Sequence, residues 1–119
     1  MQESGTRAVA VSLALFGAAA LCEIGGCYAW WCWRREGAGA WVLLPGMACL
    51  ALFGWLLTLA DSDAAGRAFA AYGGIYIVAA LAWLRLAEGR PVTARDLAGA
   101  ALCLAGAALI LSAGRAAGR

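Results

Sequence analysis

The sequence predicts an all-α membrane protein whose four transmembrane helices form a compact bundle. Three observations lead there. Of 119 residues, 65% are hydrophobic and only 13% are charged, and the charges gather at the termini and in three short stretches, Arg34–Glu36, Asp61–Arg67 and Arg85–Asp96. A soluble domain is roughly half apolar, so this composition belongs to a chain that lives in lipid. Between the charged stretches lie four apolar segments, at about 8–33, 40–59, 68–86 and 97–113. Each is close to the roughly 20 residues that a helix needs to cross hydrocarbon. They use nearly the whole chain as one four-helix domain, 1–119, and leave no room for a soluble catalytic domain.

The first span, Ala8–Trp33, carries one charge in its interior, Glu23. An ionised side chain at mid-bilayer depth costs roughly 2.5–3.5 kcal/mol on insertion scales, so an intramembrane acid is a functional candidate. By three-and-four spacing Glu23 shares a helix face with Phe16, Ala19, Ala20, Gly26, Cys27 and Trp30. Small neighbours let helices approach closely in lipid, which directs Glu23 toward a helix interface or narrow cavity. Two roles compete for it: a proton or cation site, and a protonated residue that only glues helices together. The pattern Arg7, Ala8–Phe16, Ala18-Ala19-Ala20 mimics a secretory signal, but the apolar run continues to Trp33, which favours a retained helix.

Basic residues and glycines, Arg34-Arg35-Glu36-Gly37-Ala38-Gly39, close this first span. Trp30, Trp31, Trp33 and Trp41 cluster around the loop as interfacial anchors, and Arg34, Arg35 and Arg85 read as snorkelling interfacial cations. In the second span Pro45-Gly46 lies one turn from the start, where a proline is tolerated and can bend the helix. Asp61-Ser62-Asp63 offers caps for the third span.

Along the third span Phe69, Tyr72, Tyr76 and Trp83 recur at helical intervals and form an aromatic stripe. Such a stripe is either packing or a face for a cation. Gly73-Gly74 interrupts the same helix, as a hinge or as a point of close approach. Thr93 is placed to cap the fourth span, with Asp96 three residues later in a box-like arrangement. Within that span Gly99, Gly106 and Ala113 repeat every seven residues, a small-residue seam suited to helix association.

Cys22, Cys27, Cys32, Cys49 and Cys103 lie within or beside the spans and read as packing residues, not as a disulfide framework. With no His, the sequence suggests no metal site and no cofactor; it has no phosphate-binding loop, nucleic-acid patch or paired nucleophile and base, so an enzyme is not expected. Arginines divide almost evenly between the two faces. One would carry Arg7, Arg67, Arg115 and Arg119, the other Arg34, Arg35, Arg85, Arg90 and Arg95. Orientation follows such a bias, so this balance has two readings: a helix-end Arg that should not count, or two-way insertion and an antiparallel dimer.

At Leu21-Cys22-Glu23-Ile24-Gly25-Gly26-Cys27, Trp55-Leu56-Leu57-Thr58-Leu59, Ala71-Tyr72-Gly73-Gly74-Ile75-Tyr76 and Trp83-Leu84-Arg85 the chain closely resembles the YnfA family of bacterial inner-membrane proteins. That family is similar to the small multidrug resistance transporters, antiparallel dimers of four-helix protomers that exchange protons for cationic drugs through a first-helix glutamate. The resemblance implies that Glu23 is that proton and cation site, and that Phe69, Tyr72, Tyr76 and Trp83 line the substrate. It matches the relatives' third-helix pattern at Gly66, Phe69, Tyr72 and Gly74, and their dimer seam at Gly99 and Gly106. It departs from them where Tyr72 replaces a tryptophan, Phe69 a tyrosine, and Leu50 the second-helix substrate tyrosine.

The function expected is proton-coupled efflux of lipophilic or small organic cations by a homodimer, with dual topology, in the bacterial inner membrane. The alternative is a non-transporting membrane scaffold in which Glu23 is an interfacial packing residue.

Overall fold

The structure, a computed structural model, describes residues 2–62 and 64–117. Asp63 and Arg119, named above, lie outside the described residues, as do the side chains of Ala113 and Arg115. Four α-helices follow one another: α1 (Gln2–Arg35), α2 (Leu43–Leu57) with a 3₁₀ turn over Ala40–Val42 before it, α3 (Ala65–Leu86) and α4 (Ala94–Ala117). Among the described residues these give four segments long and apolar enough to cross a membrane, Gly5–Arg35, Ala40–Leu57, Ala65–Leu86 and Ala94–Ser112.

The helix ends differ from the hydropathy boundaries for local reasons. Its 34 residues make α1 about 51 Å long at 1.5 Å per residue, well beyond the hydrocarbon thickness. Gln2–Arg7 contains no proline, and extending an existing helix is cheap compared with starting one. At the end of α2 the Thr58 hydroxyl donates to the Trp55 carbonyl at 2.6 Å, and Thr58 and Leu59 form a turn. The α3 N-cap is Ala64, which has no side-chain cap. Ser62 instead forms a local turn, its hydroxyl accepting from the Ala64 N–H and donating to the Ala64 carbonyl.

Contacts divide the chain at Ala60/Asp61 into two helical hairpins. In the first, α1 and α2 run antiparallel and meet through glycine. A Cβ on Gly26 would stand 2.6 Å from Leu50 Cγ and 2.8 Å from the Gly46 carbonyl oxygen, and one on Gly46 would stand 2.6 Å from Ala29 Cβ. Pro45 falls in the first turn of α2, where a proline is tolerated.

In the second hairpin, α3 and α4 meet at Gly74, whose added Cβ would lie 3.2 Å from Ala107 Cβ and 3.3 Å from Leu104 Cδ2. Thr93 and Asp96 form the capping box that the spacing anticipates. The Asp96 carboxylate accepts from the Thr93 N–H at 2.9 Å and hydroxyl at 2.8 Å, and the Asp96 N–H donates to the Thr93 hydroxyl oxygen at 3.2 Å.

Both hairpins turn on a left-handed glycine. Gly37, at φ +75°, lets the Ala38 N–H reach back to the Cys32 carbonyl at 3.1 Å; Gly89, at φ +69°, lets the Arg90 N–H reach the Leu84 carbonyl at 3.0 Å. The Arg90 bond satisfies a helix-terminal carbonyl, while the Cys32 carbonyl accepts from the Glu36 N–H at 3.1 Å as well as from Ala38.

The two members of Gly25-Gly26 therefore have opposite sensitivities. Gly26→Ala must displace backbone and should cost about 1–3 kcal/mol of hairpin stability. Gly25, with no atom within 4 Å of an added Cβ, should accept alanine with no loss and a gain of up to about 1 kcal/mol. Detergent unfolding followed by circular dichroism separates them; equal effects would refute the assigned contact.

Candidate functional site

Glu23 sits in the interior of α1, three residues before the Gly26 crossing and therefore on the side that meets α2. It is half-buried, and no polar or charged residue among the described residues is fully buried. The face that spacing assigned to it divides: Phe16, Ala19, Ala20 and Gly26 are buried, whereas Cys27 and Trp30 are exposed. Cys27, one turn on, lies within electrostatic reach of the carboxylate.

Leu50 is the residue of α2 pressed on Gly26, so a branched apolar side chain occupies the position where the resemblance expects tyrosine. Gly46 completes this crossing. Reading the sequence missed it as a contact residue, because a glycine after proline also signals a bend. Its position inside an apolar span, where small residues admit a neighbouring helix, was the available clue.

On α3 the aromatic stripe occupies several environments. Tyr72 is buried and packs edge-to-face with Tyr76, ring centroids 6.0 Å apart at 63°. Phe69 is 54% exposed, so within this chain it leaves an aromatic face uncovered. Trp83 is half-buried in the last turn, where its carbonyl accepts from Ala87 and Glu88. Seven residues of helix put it about 10 Å along the axis from Tyr76.

The glycine pair also divides. Gly74 is the close contact with α4, while Gly73 has no atom within 4 Å of an added Cβ. The same openness holds at Gly99 and Gly106, which are exposed and where an added Cβ would meet no atom within 4 Å. At the α1–α2 loop, Arg35 lies 4.6 Å over the Trp31 ring and Trp30 packs edge-to-face on Trp33 at 5.8 Å. These exposed rings and cations suit a bilayer interface.

Residues 9–116 match the sequence profile of the family described as uncharacterised BCR, YnfA/UPF0060 family. The chain belongs to the YnfA/UPF0060 family. It is 82% identical over 108 residues to a UPF0060 membrane protein of Gluconacetobacter diazotrophicus, covering 91% of this chain and 95% of that one. A UPF0060 membrane protein of Rhizobium etli is 58% identical over 102 residues, covering 86% and 96%. No solved structure matches. Family membership and four helices of spanning length make this YnfA/UPF0060 chain a multi-pass membrane protein in a lipid bilayer.

Burial predicts different roles for neighbouring rings of this YnfA/UPF0060 protein. Tyr72→Ala should destabilise the fold by about 3 kcal/mol or more, as loss of a buried ring does. Phe69→Ala should change unfolding in detergent by less than about 0.5 kcal/mol. A large loss of stability in the Phe69 variant would show that its ring is covered in the isolated chain.

Proposed function

We propose that this protein exports lipophilic or small organic cations across the bacterial inner membrane in exchange for protons, as a dimer in which two Glu23 side chains share one site. It acts by binding and exchange, without a catalytic group. The observation that carries this reading is the position of Glu23, an acid in the middle of a membrane-spanning helix, half-buried beside the tightest crossing of its hairpin. In low dielectric a carboxylate is stabilised by a bound proton or a bound cation, and one site holding either in turn is an exchanger.

Three further features support the reading. The exposed ring of Phe69 and the paired rings of Tyr72 and Tyr76 supply aromatic faces for a desolvated cation. Gly73, where an added Cβ would meet no atom within 4 Å, is the point at which α3 would flex as access alternates. Gly99 and Gly106 offer an open seam to the same helix of a second copy. The resemblance to small multidrug resistance transporters points the same way. With Leu50 in place of a tyrosine and Tyr72 in place of a tryptophan, small metabolic cations such as guanidinium compounds remain candidates beside bulkier aromatic ones.

Purified full-length protein in weakly buffered detergent should release protons on addition of tetraphenylphosphonium or guanidinium, and Glu23→Gln should abolish the release. Binding of either cation should weaken as pH falls, because protons compete for the carboxylate. Proton release unchanged in Glu23→Gln would overturn exchange at this residue and leave the scaffold reading. In cells, reporters fused to the C-terminus should give signal from both membrane faces; signal from one face alone would refute two-way insertion.

A further inference from the structure

Beyond Gly74, the second hairpin opens into an apolar groove that the exchange site does not use. Its volume is about 580 Å³, and residues of α3 and α4 line it together with Val92 of the loop between them. The helices touch where Gly74 meets Ala107 and Leu104, and beyond that contact Val78 and Leu81 on α3 and Leu97 and Leu104 on α4 line the groove. From Val78 to Leu86 the groove runs about 12 Å along the helix. Its one charged lining residue is Arg85, in the last turn of α3 beside the α3–α4 loop.

We infer that this groove binds one acyl chain of an anionic phospholipid, with the lipid phosphate on Arg85. Charge complementarity selects the occupant. The walls offer only hydrocarbon contact, and the loop end offers an exposed guanidinium at interfacial depth, where a phosphodiester resides. Arg90 and Arg95 add positive charge at the same end. Glu88 and Asp96 oppose them, Asp96 keeping its charge while its Oδ2 accepts both donors of Thr93, so three arginines against two carboxylates leave this end net positive. A guanidinium binds phosphate through paired charge-assisted hydrogen bonds, whereas a zwitterionic headgroup gains less from the same residue. The apolar walls set the chain site, and the arginine sets headgroup preference.

Native mass spectrometry of the full chain, delipidated and titrated with phosphatidylglycerol or phosphatidylcholine, tests this inference. Phosphatidylglycerol should bind more tightly by about fivefold, the factor expected for one interfacial arginine. Arg85→Gln should remove that preference and Arg85→Lys should largely keep it. Ala101→Phe, which fills the groove wall, should weaken both lipids; Ala101→Leu does the same with a smaller change should the larger ring prevent folding. Equal affinity for the two lipids in the native chain, or a preference that survives Arg85→Gln, would overturn the proposal. So would an Ala101 variant that breaks a dimer while lipid binding stays intact, since the occupant would then be a second copy.

Discussion

Close approach of backbones at a few glycines is the constraint on which this structure depends. In water, helices associate by hiding apolar surface; in hydrocarbon that drive vanishes, because lipid tails are as apolar as leucine. What remains is contact between well-fitted surfaces, strongest where no side chain keeps the backbones apart. The first hairpin has such a place at Gly26 and Gly46, and the second has one where Gly74 meets Ala107. Large apolar side chains elsewhere are mostly exposed, among them Leu44, Leu86 and Leu102. In a bilayer that exposure carries no penalty, so the hairpins need few buried residues.

Hydropathy made the four spans legible, since the requirement that backbone groups be satisfied inside lipid forces any such segment to be helical. Turn chemistry was equally readable. Thr93 and Asp96 declared their capping box through spacing alone, and Gly37 marked the end of α1. The partners of the glycines were not legible. Gly25-Gly26 and Gly73-Gly74 are identical dipeptides, yet in each pair the second residue packs and the first is open. A rotation of 100° decides which, and that rotation is fixed by the facing helix, about which local sequence says nothing. The same limit applies to the aromatic stripe: spacing placed Phe69 and Tyr72 on one side of α3, but not one exposed and the other buried.

Those open positions bear on the site. Glu23 is half-buried, Phe69 presents an uncovered ring, and Gly99 and Gly106 face open space. A carboxylate in a membrane-spanning helix is tolerated where protein, water or a counter-charge completes its surroundings. An uncovered aromatic ring is tolerated anywhere in lipid. The acid thus imposes a requirement that the apolar residues do not, and the identity of whatever covers it is the central functional question for this fold. The exchange reading answers with a second copy and a mobile cation; both fit a helix pair held together by small contacts that leave room beside them.

The arginines follow a separate logic set by helix ends. Arg34 and Arg35 close α1, and Arg85 lies in the last turn of α3. A cation at a helix C-terminus is favoured by the partial negative charge of the free carbonyls, whichever side of the membrane that end occupies. Arg35 gains further from stacking over Trp31. Local chemistry therefore accounts for three of the cations at the hairpin loops without any reference to orientation. Arg7, before the first span, and Arg67, in the first turn of α3, stand outside those loops. Orientation is read from an imbalance of cations near the span ends, and four arginines against five is a small imbalance. Weak orientational bias is the physical condition under which one sequence inserts both ways, and an antiparallel pair of identical chains requires it.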